Sequence, residues 1–525
     1  MHKYYFLFFS LCFFSCSTVK FKNAYLSSLE NQIRLSFNYS VKSNWQNLDL
    51  ETDSIPGMSV DRAYNELLNG LKPKKVIVAV IDSGIDIDHE DLDGLIWKNV
   101  DEIPNNNVDD DKNGYIDDMF GWNFLGESYN ETLEMSRLVR DNKINHPQYE
   151  NAKITVLDKL SEAEENLKLY SPILNNYKIA DSIILNYLKK DSYLIDEIKG
   201  LESADELVVK AKEFILYSDS FDLNLDRLER LINQYYDFVN YYYNVEFNGR
   251  DILGDDVYDL LDQDYGDPNV KHSRNSESHG THVSGIIAAN RNNNIGMKGI
   301  NNSVEIMPIR AVPNGDEYDK DISLAIRYAV DNGAQIINMS FGKSFSSNPE
   351  WVYDAIRYAE KNNVLIVHAA GNDDKDLDKI DDKNFPNDHK YELEFTNNYI
   401  SVGASTINYN EGLVAYFSNY GQKNVDIYAP GYQIYSLLPG NKYDFKSGTS
   451  MAAPAVSGVA SLILSYFPKT SARNLKKIIL ESGLEFNFNV EHDGEDISFG
   501  NLSRTGKVIN AYNALILASG KPIKK

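Results

Sequence analysis

Three residue types in this chain could together break an acyl bond: a hydroxyl, an imidazole and a carboxylate. The hydroxyl is Ser450, in Gly448-Thr449-Ser450-Met451-Ala452-Ala453-Pro454. It opens a hydrophobic run, Ala455 to Leu464, that reads as a buried helix with Ser450 in its first turn. A helix start offers free backbone N–H groups and the positive end of the helix dipole, which suits a nucleophile whose product is an oxyanion. Pro454 is tolerated because first-turn N–H groups lack helical partners anyway. Alone, Ser450 reads better as a capping serine before a core helix. The imidazole is His279, in Ser278-His279-Gly280-Thr281-His282-Val283-Ser284-Gly285, just before an apolar helix from Val283 to Ala289. The carboxylate is Asp82, which closes Val80-Ile81-Asp82-Ser83-Gly84 and is either a helix cap or a site residue. The types complement one another. A serine hydroxyl is a poor nucleophile near neutral pH and needs a base; an imidazole titrates in that range and can return the proton to a leaving amine. A buried carboxylate fixes the imidazole tautomer.

These residues must be positioned by regular elements. Val76 to Ile81 is a continuous apolar run, the mark of a strand buried on both faces. Similar runs follow at Val304–Val312, Gln335–Ser340, Val364–Ala369 and Ile400–Ala404. Helical patterns lie between them: Ile322 to Val330, closed by Gly333, and Trp351 to Lys361, closed by Asn362-Asn363. Val60 to Leu71 reads as a short helix stopped by Gly70 and Pro73. Alternating strand and helix predicts an α/β fold of three layers, with a mostly parallel sheet covered by helices on both faces. Chemistry in such sheets sits at the carboxyl ends of the strands.

The chain order Asp82, His279, Ser450, each at a strand end or helix start, resembles the subtilisin-like serine peptidase family. Two more motifs extend the likeness over about residues 60–126 and 270–515: Ala369-Ala370-Gly371-Asn372-Asp373 and Asn338-Met339-Ser340-Phe341-Gly342. The resemblance implies a serine-type endopeptidase acting on polypeptides through an acyl-enzyme. Ser450 would be the nucleophile, His279 the base and acid, and Asp82 the orienting carboxylate. Asn372 would donate its side-chain amide to the oxyanion. Ser340, Phe341 and Gly342 would form an open edge that pairs with extended substrate, with Val312 to Tyr318 as the opposite edge. The acidic Asp316-Glu317-Tyr318-Asp319 beside that cleft predicts a tilt toward basic substrate residues. A rival reading is a non-catalytic binding scaffold, for which an intact triad has no use.

Residues 127–270 interrupt the alternation. Ile154, Leu157, Leu160, Ala163 and Leu167 recur at helical spacing, as do Leu225, Leu228, Ile232, Tyr235 and Val239. They predict an inserted antiparallel bundle of three or four helices, with the tyrosines at 235, 236, 241, 242 and 243 in its core. The peptidase-like unit is therefore expected to span 59–126 and 271–518.

Residues 107–118 carry alternating oxygen donors around a glycine. Asp109, Asp111, Asn113, the Tyr115 carbonyl and Asp117 match the first half of a calcium loop, although Phe120 stands where the closing glutamate would be. Structural Ca²⁺ is expected, with a second site joining Asp91 to the loop 292–295 by analogy with related peptidases. No organic cofactor is implied. His279 and His282 lack the glutamate of the H-E-x-x-H motif, which argues against zinc and leaves His282 a packing role.

At the N-terminus Lys3 precedes an apolar stretch from Tyr4 to Phe14, too short to span a bilayer and suited to a signal peptide over 1–16. Ser15-Cys16 resembles a bacterial lipoprotein box, so Cys16 is the expected lipidation site, with 17–58 as a polar tether to an exported, envelope-bound body, expected on the outer membrane. The membrane would be contacted through that anchor alone, and a monomer is expected. Both cysteines of the chain, Cys12 and Cys16, lie in this segment, so the body has no internal disulfide. A net charge of −25 argues against nucleic acid as a partner.

Overall fold

The computed structural model describes residues 43–521 apart from 275, 380, 391–392 and 493–494. The signal segment, Cys12 and Cys16 lie outside the described residues.

A central parallel sheet organises the molecule. Strand β1 (Val76–Asp82) lies between β3 (Val304–Arg310) and β4 (Ile336–Met339), with Asp82 opposite Arg310 and Ile81 opposite Met339. Beyond β3 lies the two-residue β2 (Trp122–Asn123). Beyond β4 come β5 (Leu365–Ala369), β6 (Tyr399–Ser405) and β7 (Ile427–Pro430). Two short strands, Leu484–Glu485 and Lys507–Val508, finish that side, and theirs is the one antiparallel pairing in this sheet among the described residues.

Both faces of the sheet are covered. Val76, Val78 and Val80 pack into a core shared with residues 283–289 and 451–464, while Ala79 and Ile81 pack into another shared with residues 322–330 and 352–359. The alternation follows from the pleat, which sends successive side chains to opposite faces. The helices on the first face are α5 (His279–Ala288) and α8 (Thr449–Tyr466); those on the second are α6 (Asp319–Asp331) and α7 (Pro349–Lys361). This is the three-layer α/β arrangement the alternation predicts. The chain leaves β1 for partners on opposite sides, so the carboxyl end of β1 is a switch point with a crevice above it. Helix α8 is long and apolar enough to cross a membrane, yet 89% of it is buried inside the fold.

Residues 44–58 do not behave as a tether. Trp45, Ile55 and Met58 are 1%, 2% and 0% exposed and join the main core. Their apolar side chains follow neither a helical nor a strand period, so pattern reading takes the segment for irregular coil.

The insertion contains α1 (Glu134–Arg140), the 40-residue α2 (Tyr149–Leu188), α3 (Glu206–Asp219) and α4 (Leu225–Asp237). Helix α2 packs against both α3 and α4 around Leu174, Tyr177, Ile184, Ile215 and Leu228. Two expectations fail here. Ile154 and Leu157 are 59% and 61% exposed, because the N-terminal half of α2 buries Tyr149, Ala152 and Val156 instead; of the expected stripe Ala163 is buried, at 1% exposure. The tyrosine run is not core. Phe238–Tyr242 contains no buried residue, and Tyr242 instead donates to Asn314 Oδ1 at 2.7 Å on the peptidase-like body.

Candidate active site

Asp82, Ser340 and Asn372 stand at or just beyond the carboxyl ends of β1, β4 and β5, which are neighbours in the sheet. Asp82 is 1% exposed, and its Oδ1 accepts from the Ser83 amide at 2.8 Å. The same oxygen lies 2.8 Å from His279 Nδ1, and His279 begins α5. A carboxylate on Nδ1 fixes that nitrogen as the protonated one and leaves Nε2 as the base. Behind His279 the structure adds two residues that no local signal marks. Arg310 Nε donates to Glu277 Oε1 at 3.0 Å, and Glu277 Oε2 accepts from the Ser273 amide at 2.6 Å, folding the loop that delivers the histidine. Lys446 Nζ donates to Ser278 Oγ at 2.9 Å, and burial lowers its pKa despite the nearby Asp82 and Asp444.

Ser450 is the second residue of α8. Its hydroxyl donates to the Ser340 carbonyl at 2.9 Å, and Ser340 Oγ donates to the Ser450 carbonyl at 2.9 Å. Pro454 explains the second bond: a proline lacks the N–H that would otherwise reach back four residues to Ser450. Asn338 donates to Ser340 Oγ at 2.9 Å and accepts from Ser457 Oγ at 2.8 Å, all within the interior. Asn372 Oδ1 is taken by the Thr449 amide at 2.8 Å and the Thr449 hydroxyl at 3.0 Å. Its Nδ2 is thereby turned toward Gly448, where an added Cβ would lie 3.6 Å from both Asn372 Nδ2 and the Ser450 amide. Two donors thus face one small space.

Beside that space run the predicted edge Ser340-Phe341-Gly342 and the stretch 369–371. Asn384 fills the gap between them, donating to the Ala369 carbonyl at 3.0 Å and sitting against Gly342. Sequence alone does not place Asn384, because 373–398 has no periodicity to anchor it. His368, on β5, is buried, with no partner for Nε2 among the described residues; burial lowers its pKa to about 4. His282 fits the packing role: it is fully buried, its Nε2 lies 3.2 Å from the Asp444 carbonyl, and burial lowers its pKa to about 3.

The acidic segment beside the cleft does not face it as free charge. Asp316 Oδ2 accepts from the Glu134 amide at 2.8 Å, and Asp319 Oδ1 pairs with Lys343 at 2.9 Å. The Glu317 carboxyl is buried, and desolvation raises its pKa to about 8. These acids are neutralised within the fold, which removes the basis for a preference for basic substrate residues.

The aspartate-rich loop curls on itself. Carboxylate oxygens of Glu102, Asp109 and Asp111 lie within 4.8 Å of one another, so Glu102 supplies from upstream a carboxylate sought downstream. Asn113 lies beside them, with Nδ2 3.1 Å from Asp111 Oδ2. Asp117 is placed elsewhere, accepting from the Asn106 and Asn107 amides at 3.1 and 2.9 Å. The Tyr115 ring wedges against Trp122, Phe124 and Tyr328 and anchors the loop. Elsewhere Asp91 is fully buried and accepts from Asn293 Nδ2 at 2.6 Å, joining the loop expected to face it.

Residues 73–501 match the Peptidase_S8 profile, described as the Subtilase family. The chain is 36% identical over 276 residues to the thermophilic serine proteinase of Bacillus sp. (strain AK1), covering 52% of this chain and 59% of that one. It is 34% identical over 238 residues to thermitase of Thermoactinomyces vulgaris, covering 45% of this chain and 76% of that one. A solved structure described as "Structural basis of subtilase cytotoxin SubAB assembly" aligns with TM-score 0.41 and 28% identity, over 49% of this chain and 81% of that one. The chain thus spans little more than half the length of the first of these relatives, at 59%.

Proposed function

This chain belongs to the subtilase family, and we propose that it is a serine endopeptidase that cuts polypeptides at the bacterial cell envelope. The observation that carries the reading is the 2.8 Å contact between His279 Nδ1 and the buried Asp82, with Ser450 at the mouth of α8 beside the neighbouring strand. In the proposed cycle the Ser450 hydroxyl rotates away from the Ser340 carbonyl toward His279 Nε2. It gives up its proton there as its oxygen attacks the scissile carbonyl. Asn372 Nδ2 and the Ser450 amide receive the developing oxyanion. His279 then protonates the leaving amine, and the acyl-enzyme is hydrolysed by a water that His279 activates. Asp82 steadies the imidazolium in both halves. The Ser340 carbonyl, once released by Ser450, is free to accept a substrate N–H along the edge Ser340–Gly342. Asn384, which fills the gap between that edge and residues 369–371, would present a polar group to a substrate lying there.

Structural calcium belongs to this reading, because the mutual repulsion of three carboxylates whose oxygens lie within 4.8 Å of one another would be offset by a divalent cation between them. Glu102, Asp109 and Asp111 would hold it, and when bound it would brace the loop between β1 and β2. Export and a lipid anchor at Cys16 complete the proposal, with an outer-membrane location and a monomeric body. Loss of fatty-acid labelling in Cys16→Ser would test the anchor.

A serine-reactive fluorophosphonate probe tests the chemistry. Mature protein should label and cleave a peptide mixture, and Ser450→Ala should do neither while keeping its circular dichroism. Failure of the folded wild-type chain to label would reduce the protein to a binding scaffold.

A further inference from the structure

We infer that Arg137, in the first helix of the insertion, is a positioning residue that sets the spacing of the two proposed substrate edges. The insertion would thereby govern peptide affinity without taking part in the chemical step. This rests on the reading of Ser340–Gly342 and Val312–Tyr318 as those edges.

Arg137 is 1% exposed and uses its guanidinium fully. Nη1 donates to the carbonyls of Thr132 at 2.8 Å and Asp316 at 2.9 Å. Nη2 donates to the Glu317 carbonyl at 3.0 Å, and Nε and Nη2 both reach Glu134. The planar group also lies 4.0 Å over the Tyr318 ring. Five donors in a rigid fork thus hold the backbone of one edge against α1, an arrangement a lysine cannot reproduce.

The other edge is tied to the same point. Lys343 directly follows Gly342, and its ammonium is 1% exposed. It donates to the Glu317 carbonyl at 2.8 Å and pairs with Asp319 at 2.9 Å and Glu134 at 3.3 Å. Burial opposes ionisation of Glu134, but Arg137 and Lys343 outweigh it and hold the carboxyl well below its ordinary range. Glu134 is therefore a shared anion between a cation on the insertion and a cation on the second edge. The backbone adds a third tie, since the Glu131 amide donates to the Asn314 carbonyl at 2.9 Å and the Asn314 amide to the Tyr129 carbonyl at 2.7 Å. Among the described residues, no insertion side chain hydrogen-bonds Asp82, His279, Asn372 or Ser450. That separation predicts an effect on KM distinct from kcat.

The test uses Arg137→Lys in the full chain. The variant should label with fluorophosphonate at the wild-type rate and keep kcat within about twofold. Its KM should rise about tenfold on an octapeptide that fills both edges, and stay unchanged on a single-residue ester that does not. An unchanged octapeptide KM, or an equal rise on the ester, overturns the inference. Glu134→Gln, which keeps the carbonyl bonds of Arg137 but removes the shared charge, should shift KM in the same direction and supplies the measurement if Arg137→Lys does not fold. A wild-type chain that neither labels nor cleaves would instead remove the peptidase reading itself.

Discussion

Ser340 and Ser450 exchange hydrogen bonds in both directions, hydroxyl to carbonyl, each at 2.9 Å. One bond exists because Pro454 leaves the Ser450 carbonyl without its helical donor; the other parks the proposed nucleophile until substrate claims the Ser340 carbonyl. Ser340 thus belongs to the proposed substrate edge and also supports the proposed nucleophile. Ser340→Ala should leave the part-buried Ser450 carbonyl without its protein donor, costing about 1 kcal/mol of stability. It should lower kcat about tenfold with KM nearly unchanged. Steady-state kinetics with urea unfolding checks both, and an unchanged kcat refutes the supporting role.

Arg310 and Glu277 form a pair that is 1% and 4% exposed at the root of the His279 loop. Removing one member of a buried pair strands the other, at a cost of about 3–5 kcal/mol. Arg310→Met should therefore unfold at markedly lower denaturant and label poorly with fluorophosphonate. The double variant Arg310→Met/Glu277→Gln should recover part of the stability, because no charge is left buried alone.

Two buried histidines make acid stability predictable. Burial lowers His282 to about 3 and His368 to about 4 from an ordinary 6.5. Below 6.5 the unfolded chain binds protons that the folded chain refuses, so stability falls as pH drops from 6.5 toward those values. His368→Phe, between the Phe341 and Tyr399 rings, should flatten that limb. Glu317 acts with the opposite sign. Its folded carboxyl is raised to about 8, so stability is lost as pH climbs from its ordinary value of 4.5 through 8, and Glu317→Gln should flatten that loss. Thermal melts from pH 4 to 9 would read both slopes; parallel profiles for variants and parent would contradict the burial argument.

Calcium should raise the melting temperature, and chelation should lower it. A ligand at about 100 times its Kd stabilises by about 2.7 kcal/mol, which corresponds to several degrees in a body of this size. The shift should disappear in Glu102→Gln/Asp109→Asn and persist in Asp117→Asn. Equal loss in Asp117→Asn would restore the loop reading in which Asp117 is a ligand.

Much of this protein is decided locally. The short, β-branched apolar run from Val76 to Ile81 favours a doubly buried strand, and the motifs around Asp82, His279, Asn372 and Ser450 each mark an end of an element, where short-range geometry leaves donors and side chains free. Their identity and order were therefore legible from the chain alone, and so were the layers they sit in. Relationships without a local period were not. Trp45 and Met58 reach the core from an aperiodic segment, Asn384 enters the cleft from another, and Glu102 meets Asp109 from the far side of a loop. The charge on Asp319 looks free in one dimension and is matched in three, because Lys343 lies 24 residues away in sequence yet 2.9 Å away in space. Partner choice among buried charges depends on which surfaces close over them, and only the packed insertion closes these.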